Sequence, residues 1–271
     1  MPTFTKTTIQ ENRKIFLEST NASLNLSKSH LFYYLDEPIT VLPGHYIFLS
    51  VLDALIPVSF YQQKNVTLSG SIGGSNFNFS IPDGTYTANE LTSTINTLFT
   101  TASLTCTLSY SKITNKLTFT AGSGVAIVIN SSSFLRQFGF SKSQHTGTTT
   151  LTSDLVVDLM PLKNVYIKLN NLSIANSKNG KGTKVVAKIP ITEGRNGIVN
   201  YLAHSNISSE IYDSKLDLIE IILCDDDNEE VNFNGVPFSL SLGIVFDSRM
   251  EYTNNMKTND EEVDYINMNK A

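Results

Sequence analysis

The stretch 216–246, LDLIEIILCDDDNEEVNFNGVPFSLSLGIVF, decides the fold class of this chain. In its last third, large apolar residues alternate with small ones, which is the period of a β-strand with one buried face. The apolar positions are Phe238, Leu240, Leu242, Ile244 and Phe246, and the small positions between them are Ser239, Ser241 and Gly243. Residues 218–224 are apolar on both faces except at Glu220, which is typical of a central strand covered on both sides.

Two turn signals separate these strand patterns. An acidic run, Asp225-Asp226-Asp227, follows the first strand, and an Asn234-Gly235 pair precedes the second. Asn-Gly readily adopts positive φ, so the pair predicts a tight hairpin turn between the two strands. The stretch as a whole indicates sheet architecture and contains no recognisable catalytic motif.

Composition extends the β prediction to the rest of the chain. The 271 residues suit one large all-β domain or two smaller ones, and Val, Ile, Thr, Phe and Tyr are plentiful. A net charge of −5 argues against direct nucleic-acid binding, which needs a basic surface.

With no apolar signal core and no membrane-length apolar run, we expect a soluble protein made in a reducing compartment. Cys106 and Cys224 are predicted to be buried free thiols.

The middle of the chain has a different sequence pattern. Residues 65–152 contain hairpin patterns and one clear helix, TANELTSTINTLF, so they predict a small α+β module. Thr87 and Glu90 form a capping box at the start of the helix. Helical spacing assigns a buried stripe to Leu91, Ile95, Leu98 and Phe99.

The ends of the chain lack sustained periodicity. Residues 1–37 read as an N-terminal arm, and two interpretations stay open: an extended arm held by a neighbour, or a disordered terminus. Residues 249–271 read as an acidic C-terminal tail. The remaining strand patterns, in residues 38–64 and 153–248, are assigned to one β domain that surrounds the module in sequence.

Candidate chemistry is sparse. None of the four histidines (His30, His45, His145 and His204) has a sequence partner at a metal-ligand spacing. The acidic run 225–230 resembles a calcium loop but lacks the turn glycine, and a solvated turn is the simpler interpretation. Residues 179–183 lack the spacing of a phosphate loop, and no nucleophile-elbow motif occurs. We therefore predict no catalytic residue, cofactor or metal site, and no enzymatic activity.

Four segments together resemble the penton proteins of virophages and Polinton-like viruses. They are VLPGHYIFLSVLDALIPVSFY, IPDGTYTANELTSTIN, LSYSKITNKLTFTA and LIEIILCDDDNEEVNFNGVPFSLSLGIVF, in this order along the chain. The resemblance covers most of residues 38–248. The last segment is similar to the closing strands of the penton jelly roll, with its order of strand, acidic turn, Phe-Asn-Gly and strand.

The resemblance implies a mainly β protein, a single jelly roll of two antiparallel Greek-key sheets. Residues 38–64 and 153–248 would supply its strands, and residues 65–152 would be inserted and project from the shell. Five copies would close each fivefold vertex of an icosahedral capsid, with trimers of the major capsid protein as further partners. The protein would be located in the virion and assembled inside the infected host cell, in the cytoplasm.

A fivefold ring needs head-to-tail contacts, in which two different surfaces of neighbouring subunits meet. The small residues Ser239, Ser241 and Gly243 would permit a close approach, so we predict an interface there. The two terminal segments would become ordered on adjacent subunits.

Two other functions compete with this interpretation. The first is a carbohydrate- or receptor-binding β module that would contact host glycans through the inserted module, whose aromatic candidates are Phe77, Phe79, Tyr86 and Tyr110. Core packing is the simpler role for each of these residues. The second is a cupin-like enzyme, which would need clustered histidine and carboxylate ligands that the sequence does not indicate.

Overall fold

A computed structural model describes eight segments of the chain. They are residues 12–41, 45–130, 137–141, 144–171, 176–178, 181–203, 208–211 and 215–248. The predicted C-terminal tail, residues 249–271, and the first eleven residues of the predicted arm lie outside the described part.

The described residues form nineteen strands, one α-helix and one turn of 3-10 helix. The strands before the inserted segment are β1 (Asn12–Glu18), β2 (Leu24–Ser27), β3 (His30–Thr40) and β4 (His45–Pro57), with the 3-10 turn at Ser19–Asn21. The next are β5 (Val66–Ile72), β6 (Ser75–Ile81), helix α1 (Ala88–Thr101), β7 (Cys106–Ser111), β8 (Lys116–Ala121), β9 (Ala126–Asn130), β10 (Gln144–Thr148) and β11 (Thr150–Thr152). The last are β12 (Asn164–Leu169), β13 (Asn176–Lys178), β14 (Lys181–Thr183), β15 (Val185–Pro190), β16 (Ile198–Leu202), β17 (Ser209–Glu210), β18 (Lys215–Cys224) and β19 (Ser239–Ser248).

Two antiparallel sheets form a sandwich. Sheet A has the order β1-β19-β4-β16, with β17 also paired to β4, and sheet B has the order β15-β12-β18-β3-β2. Their inner faces bury one continuous apolar core that contains Leu31, Ile47, Leu49, Ile221 and Leu242, among others. The predicted mainly β fold of packed antiparallel sheets is confirmed.

The chain closes the two lateral edges of the sandwich differently. At one edge, the 3-10 turn joins β1 of sheet A to β2 of sheet B; we call this the strap edge. At the other edge, residues 191–197 join β15 of sheet B to β16 of sheet A. The strap edge and the β16 edge therefore lie on opposite sides of the sandwich.

The prediction that residues 1–37 form an arm outside the fold is wrong for residues 12–37. Strand β1 pairs along its whole length with β19, and β3 pairs with the central strand β18. Leu17 and Leu31 lie in the core. Residues 12–37 contain an ordinary share of apolar residues, but β1 and β2 lie at sheet edges and a bulge interrupts the pairing of β2 with β3, so no sustained alternation marks these strands.

The stretch 216–246 contains the predicted strands but not the predicted hairpin. Asn234 and Gly235 do adopt positive φ, and the Val236 amide donates to the Phe233 carbonyl at 3.1 Å, so the tight turn is present. However, β18 belongs to sheet B and β19 to sheet A. The connection crosses the sandwich, and the turn lies within that crossing.

Residues 66–157 build a second apolar core. Strands β5 to β11 form a seven-stranded antiparallel sheet in the order β6-β5-β9-β10-β11-β8-β7, and α1 packs against it. The core contains Leu68, Ile95, Phe99, Phe119 and Ile129, among others. The two separate cores support the proposed division of the chain into a sandwich and an inserted module.

Local predictions for the helix and the thiols are largely accurate. The Thr87 and Glu90 capping box is formed, with hydrogen bonds of 3.3 Å and 2.8 Å. In the predicted stripe, Leu91, Ile95 and Phe99 are fully buried, whereas Leu98 is only partly buried. Cys106 and Cys224 are buried free thiols, as predicted, and burial raises the pKa of Cys106 to about 11.

Candidate interaction surface

The predicted interface residues lie on the outer face of sheet A. Antiparallel register aligns Phe16, Ser241, Asp53 and Leu202 across its four strands. A second row aligns Glu18, Ser239, Leu55 and Asn200. Paired residues point to the same side of a sheet, so both rows face away from the core.

The structure brings Ser239, Ser241 and Gly243 together but covers two of them within the chain. Ser241 is 5% exposed, and its hydroxyl donates to the Asp53 carboxylate at 2.9 Å. A Cβ at Gly243 would lie 2.9 Å from Ser50 Oγ and 3.0 Å from Leu52 Cδ2. The small residues thus let Leu52 and Asp53 lie across β19, and contact of this strand with a neighbouring subunit stays a prediction.

Exposed apolar side chains cluster beside them on β4 and β16. Ile198 and Leu202 are each 61% exposed, and Leu55 between them is also exposed. We call these three residues the β16 surface. Asp53 lies at its Leu202 end, and Arg195 precedes its Ile198 end.

A second exposed apolar cluster lies on sheet B at the strap edge. Tyr34 on β3 is 61% exposed, and Leu24 and Leu26 on the neighbouring strand β2 are also exposed. The register places Leu24 opposite Phe32, two residues from Tyr34, and Leu26 beside His30. We call these three residues the strap surface. Lys28 follows its Leu26 end, and Asp36 lies two residues beyond Tyr34 on the same strand; both are exposed.

An open groove of about 570 Å³ adjoins the β16 surface. Its walls are mainly apolar and include Leu55, Val58, Ile198, Val236 and Phe238. Ser239 lines its edge, so one predicted interface residue does border accessible space.

Sequence reasoning missed both exposed surfaces. The strap surface falls in the segment interpreted as an arm, and β16 falls in residues 197–213, where the pattern is weak. A signal existed in residues 198–202, IVNYL, because Ile198 and Leu202 lie on the side opposite the buried Val199. Alternation alone does not say which side of a strand faces the core.

The candidate polar residues around His30 and in the acidic turn make hydrogen bonds and ion pairs within the chain. His30 Nε2 lies 2.7 Å from Glu220 Oε1, and its Nδ1 lies 3.8 Å from Glu230 Oε1. In the acidic turn, Asp226 accepts hydrogen bonds from Tyr166 and Asn164 at 2.9 Å and 3.1 Å. The pKa of Tyr166 is raised, mainly because the side chain is buried and next because its hydroxyl is hydrogen-bonded to Asp226. The described residues contain no group of three or more His, Cys, Asp and Glu side chains able to hold a metal ion.

The aromatic candidates of the inserted module lie in or against its core. Phe77 is buried and stacks on Phe79 at 4.9 Å, and both rings contact Phe99 edge-on. Tyr86 and Tyr110 pack against the same cluster and use their hydroxyls for local hydrogen bonds to Pro82 and Asn115. No helix among the described residues is long and apolar enough to cross a membrane.

Comparison with solved structures connects the sandwich to a known protein. The crystal structure of the mavirus penton protein matches with a TM-score of 0.51 and 14% sequence identity, and the match covers 90% of this chain and 100% of that one. The chain has the fold of a virophage penton protein. The predicted jelly-roll fold is therefore confirmed.

A second match is to the structure of the Sputnik virophage determined by cryo-EM, with a TM-score of 0.44, 13% identity, and coverage of 88% of this chain and 98% of that one. No protein-family model matches the sequence, and no curated protein matches it.

Proposed function

We propose that this chain is a structural protein of an icosahedral viral capsid, located in the virion, that forms pentamers at the fivefold vertices. The observation that carries the proposal is the shared fold with the mavirus penton protein over 90% of this chain and all of that one. A match that spans both the sandwich and the inserted module is more specific than a match to one β-sandwich alone. The role is structural and non-enzymatic.

The surfaces of the sandwich suit a ring of subunits. Exposed apolar clusters such as the β16 surface mark interaction sites when several large side chains lie together. A ring requires two different surfaces on each subunit, and the strap surface and the β16 surface lie at opposite edges of the sandwich. We propose that Ser239, Ser241 and Gly243 support this contact because their small side chains do not protrude from the centre of the outer face of sheet A.

Trimers of the major capsid protein are the proposed outer partners of the ring. The first residue of β1, Asn12, and the last residues of β19 lie at the same end of sheet A, and we propose that such neighbours meet the chain there. Assembly would occur in the cytoplasm of the infected cell, without contact to a membrane and without direct nucleic-acid binding.

Native mass spectrometry of the full chain over a range of concentrations tests the pentamer. We expect a species of five times the 29.9 kDa chain mass. The companion experiment is co-expression with the major capsid protein, followed by purification of particles. A chain that is monomeric at every concentration and absent from the particles would overturn the proposal.

One observation favours receptor binding as a second function. On the inserted module, the outward positions of β7, β8 and β11 are filled by hydroxyl side chains and one lysine: Thr107, Ser109, Ser111, Lys116, Thr118, Thr120, Thr150 and Thr152. Thr118 and Thr152 are hydrogen-bonded at 2.9 Å. Such a face presents methyl and hydroxyl groups, with Lys116 as the charged residue at its end, which suits a neutral glycan. Binding of the full chain to a glycan array, lost when Thr120 and Thr150 are both changed to Lys, would support it; an array without signal would overturn it.

A further inference from the structure

We propose that the strap surface of one copy docks onto the β16 surface of the next copy, so that the subunits of the ring overlap in a head-to-tail manner. The inference rests on the proposed function and adds to it the two surfaces that meet. The occupant of each apolar surface is therefore a second copy of this chain.

The first support is the apolar character of both surfaces. Tyr34 and Leu26 on one side, and Ile198 and Leu202 on the other, each expose more than half of their side chains. Interfaces place aromatic and aliphatic anchors at their centre and charged residues at the rim. Each surface has this arrangement, with three apolar residues between charged ones.

The second support is the order of the charges. Along the strap surface, Lys28 follows the apolar group at its Leu26 end, where the Ser27 hydroxyl also donates to the exposed Glu230 carboxylate, and Asp36 lies at its Tyr34 end. Along the β16 surface the order is Asp53, then the apolar group, then Arg195, which is acid, apolar, base. Placed against each other in one orientation, Lys28 meets Asp53 and Asp36 meets Arg195; the reversed orientation pairs like charges.

The third support is that the two apolar groups have similar lengths. Leu26 lies beside His30 in the pairing of β2 with β3, so at about 3.3 Å per residue the group from Leu26 to Tyr34 extends over about 13 Å, as does β16 from Ile198 to Leu202.

The charges of the β16 surface are also fixed in place within the chain. The Asp53 carboxylate accepts the Ser241 hydroxyl at 2.9 Å. Arg195 donates to the Thr85 carbonyl at 3.0 Å and lies 3.5 Å from the Glu90 carboxylate. Both charges are thus positioned before a neighbour arrives, which lowers the entropy cost of binding.

The fourth support is topology. The strap surface lies on the outer face of sheet B, and the β16 surface lies on the outer face of sheet A at the opposite edge. When two subunits bind through two different surfaces, the pair still has one free strap surface and one free β16 surface. Further copies can therefore add in the same way until the ring closes.

Two single variants and their mixture test this pairing. Tyr34→Asp blocks only the strap surface, and Ile198→Asp blocks only the β16 surface; both positions are exposed, so folding is checked by circular dichroism and thermal unfolding. The matched control is Ile113→Asp, which removes a side chain that is 97% exposed on the inserted module. We expect each blocked variant to lose the pentamer, with a rise of about 10-fold or more in the apparent dissociation constant, and the control to keep it.

The mixture separates head-to-tail contact from symmetric contact. Each blocked variant keeps one intact surface, so an equimolar mixture should form a heterodimer and no larger species. If the wild-type chain is pentameric while both blocked variants remain pentameric, or while their mixture stays monomeric, the pairing is wrong and the proposed function stands.

Cysteine cross-linking provides a second measurement, and it also applies to assembled particles. Leu26→Cys combined with Leu202→Cys should give a ladder of linked chains under mild oxidation, because Lys28 and Asp53 bring these ends together. Cys106 and Cys224 are buried and do not compete. Particles that contain this variant without any linked chains would overturn the pairing, whereas particles that lack the wild-type chain would overturn the proposed function.

Discussion

The hydroxyl of Tyr33 donates a 2.8 Å hydrogen bond to the backbone carbonyl of Glu18. The bond connects β3 of sheet B with the last residue of β1 in sheet A, directly inside the strap edge. Tyr33 is 6% exposed, and burial, together with the nearby Glu18 carboxylate, raises the pKa of Tyr33 to about 12. The first strands of the chain are thus part of the folded sandwich.

Tyr33→Phe should lower the free energy of unfolding by about 1 kcal/mol, because the Glu18 carbonyl loses its partner while the ring stays in place. The pH dependence gives a second readout. The pKa of Tyr33 is higher in the folded state than the ordinary value of 10.0, so this residue's contribution is complete below pH 10 and decreases as the pH rises through about 12. Urea unfolding between pH 8 and pH 12 should show a steeper loss for the wild type; parallel curves would contradict this assignment.

Removing residues 1–35 should unfold the sandwich rather than release a free arm. The deletion takes away β1, β2 and the first half of β3, and with them the core residues Leu17, Leu31 and Tyr33. Removing only residues 1–11 keeps every described strand and is the matched control. Circular dichroism and gel filtration should show a folded chain only for the shorter deletion; a folded chain lacking residues 1–35 would refute the role of these strands.

Gly243→Ala should destabilise the chain by about 1–3 kcal/mol, because the added methyl group would lie 2.9 Å from Ser50 Oγ and 3.0 Å from Leu52 Cδ2. The matched control is Gly194→Ala, since no atom lies within 4 Å of a Cβ at that position. Adding Leu52→Ala to Gly243→Ala should recover part of the loss. Chemical denaturation of the three variants measures this, and equal midpoints for the two glycine variants would contradict the packing argument.

Gln63→Leu should weaken the junction between the sandwich and the inserted module. The Gln63 side chain is fully buried, donates to the Leu159 carbonyl at 2.6 Å and accepts from the Tyr86 amide at 3.2 Å. The substitution leaves both backbone groups without this partner, at a cost of about 1–3 kcal/mol each. Calorimetry should show a lower transition temperature, while Gln144→Leu on the exposed sheet face should change little. The reverse ranking would exclude a structural role for Gln63.

Thr87→Ala should cost about 1 kcal/mol through loss of the helix cap, because the Glu90 amide then loses the Thr87 hydroxyl at 3.3 Å. Thr97→Ala, at an exposed position within α1, is the control and should be neutral or slightly stabilising because alanine favours the helix. Thermal unfolding followed by circular dichroism compares the two, and the prediction fails if Thr97→Ala is the more harmful change.

Sequence reasoning recovered the features that depend on neighbouring residues. The strand that contains Ile221 and Leu223, the capping box of α1 and the Asn234-Gly235 turn are all present, because each needs only local spacing. The jelly-roll fold required the additional resemblance to penton proteins.

The features that sequence reasoning missed depend on contacts between distant segments. Pairing of β1 with β19 joins residues more than 200 positions apart, and no pattern within residues 12–18 indicates that partner. The same holds for the crossing between β18 and β19, since an apolar alternation shows a buried face but not the sheet to which a strand belongs. The strap surface and the β16 surface became visible only once the inner faces of both sheets were known.

The inserted module leaves and rejoins the sandwich at a single place. Gln63, at the point of departure, is bonded to Leu159, at the point of return, and Gln62 accepts the Leu162 amide at 3.0 Å. The two chain ends of the module are therefore held side by side by the sandwich itself. A different sequence of any length whose ends meet at this spacing could be carried there, so the inserted module is free to diverge in sequence while the sandwich stays constrained.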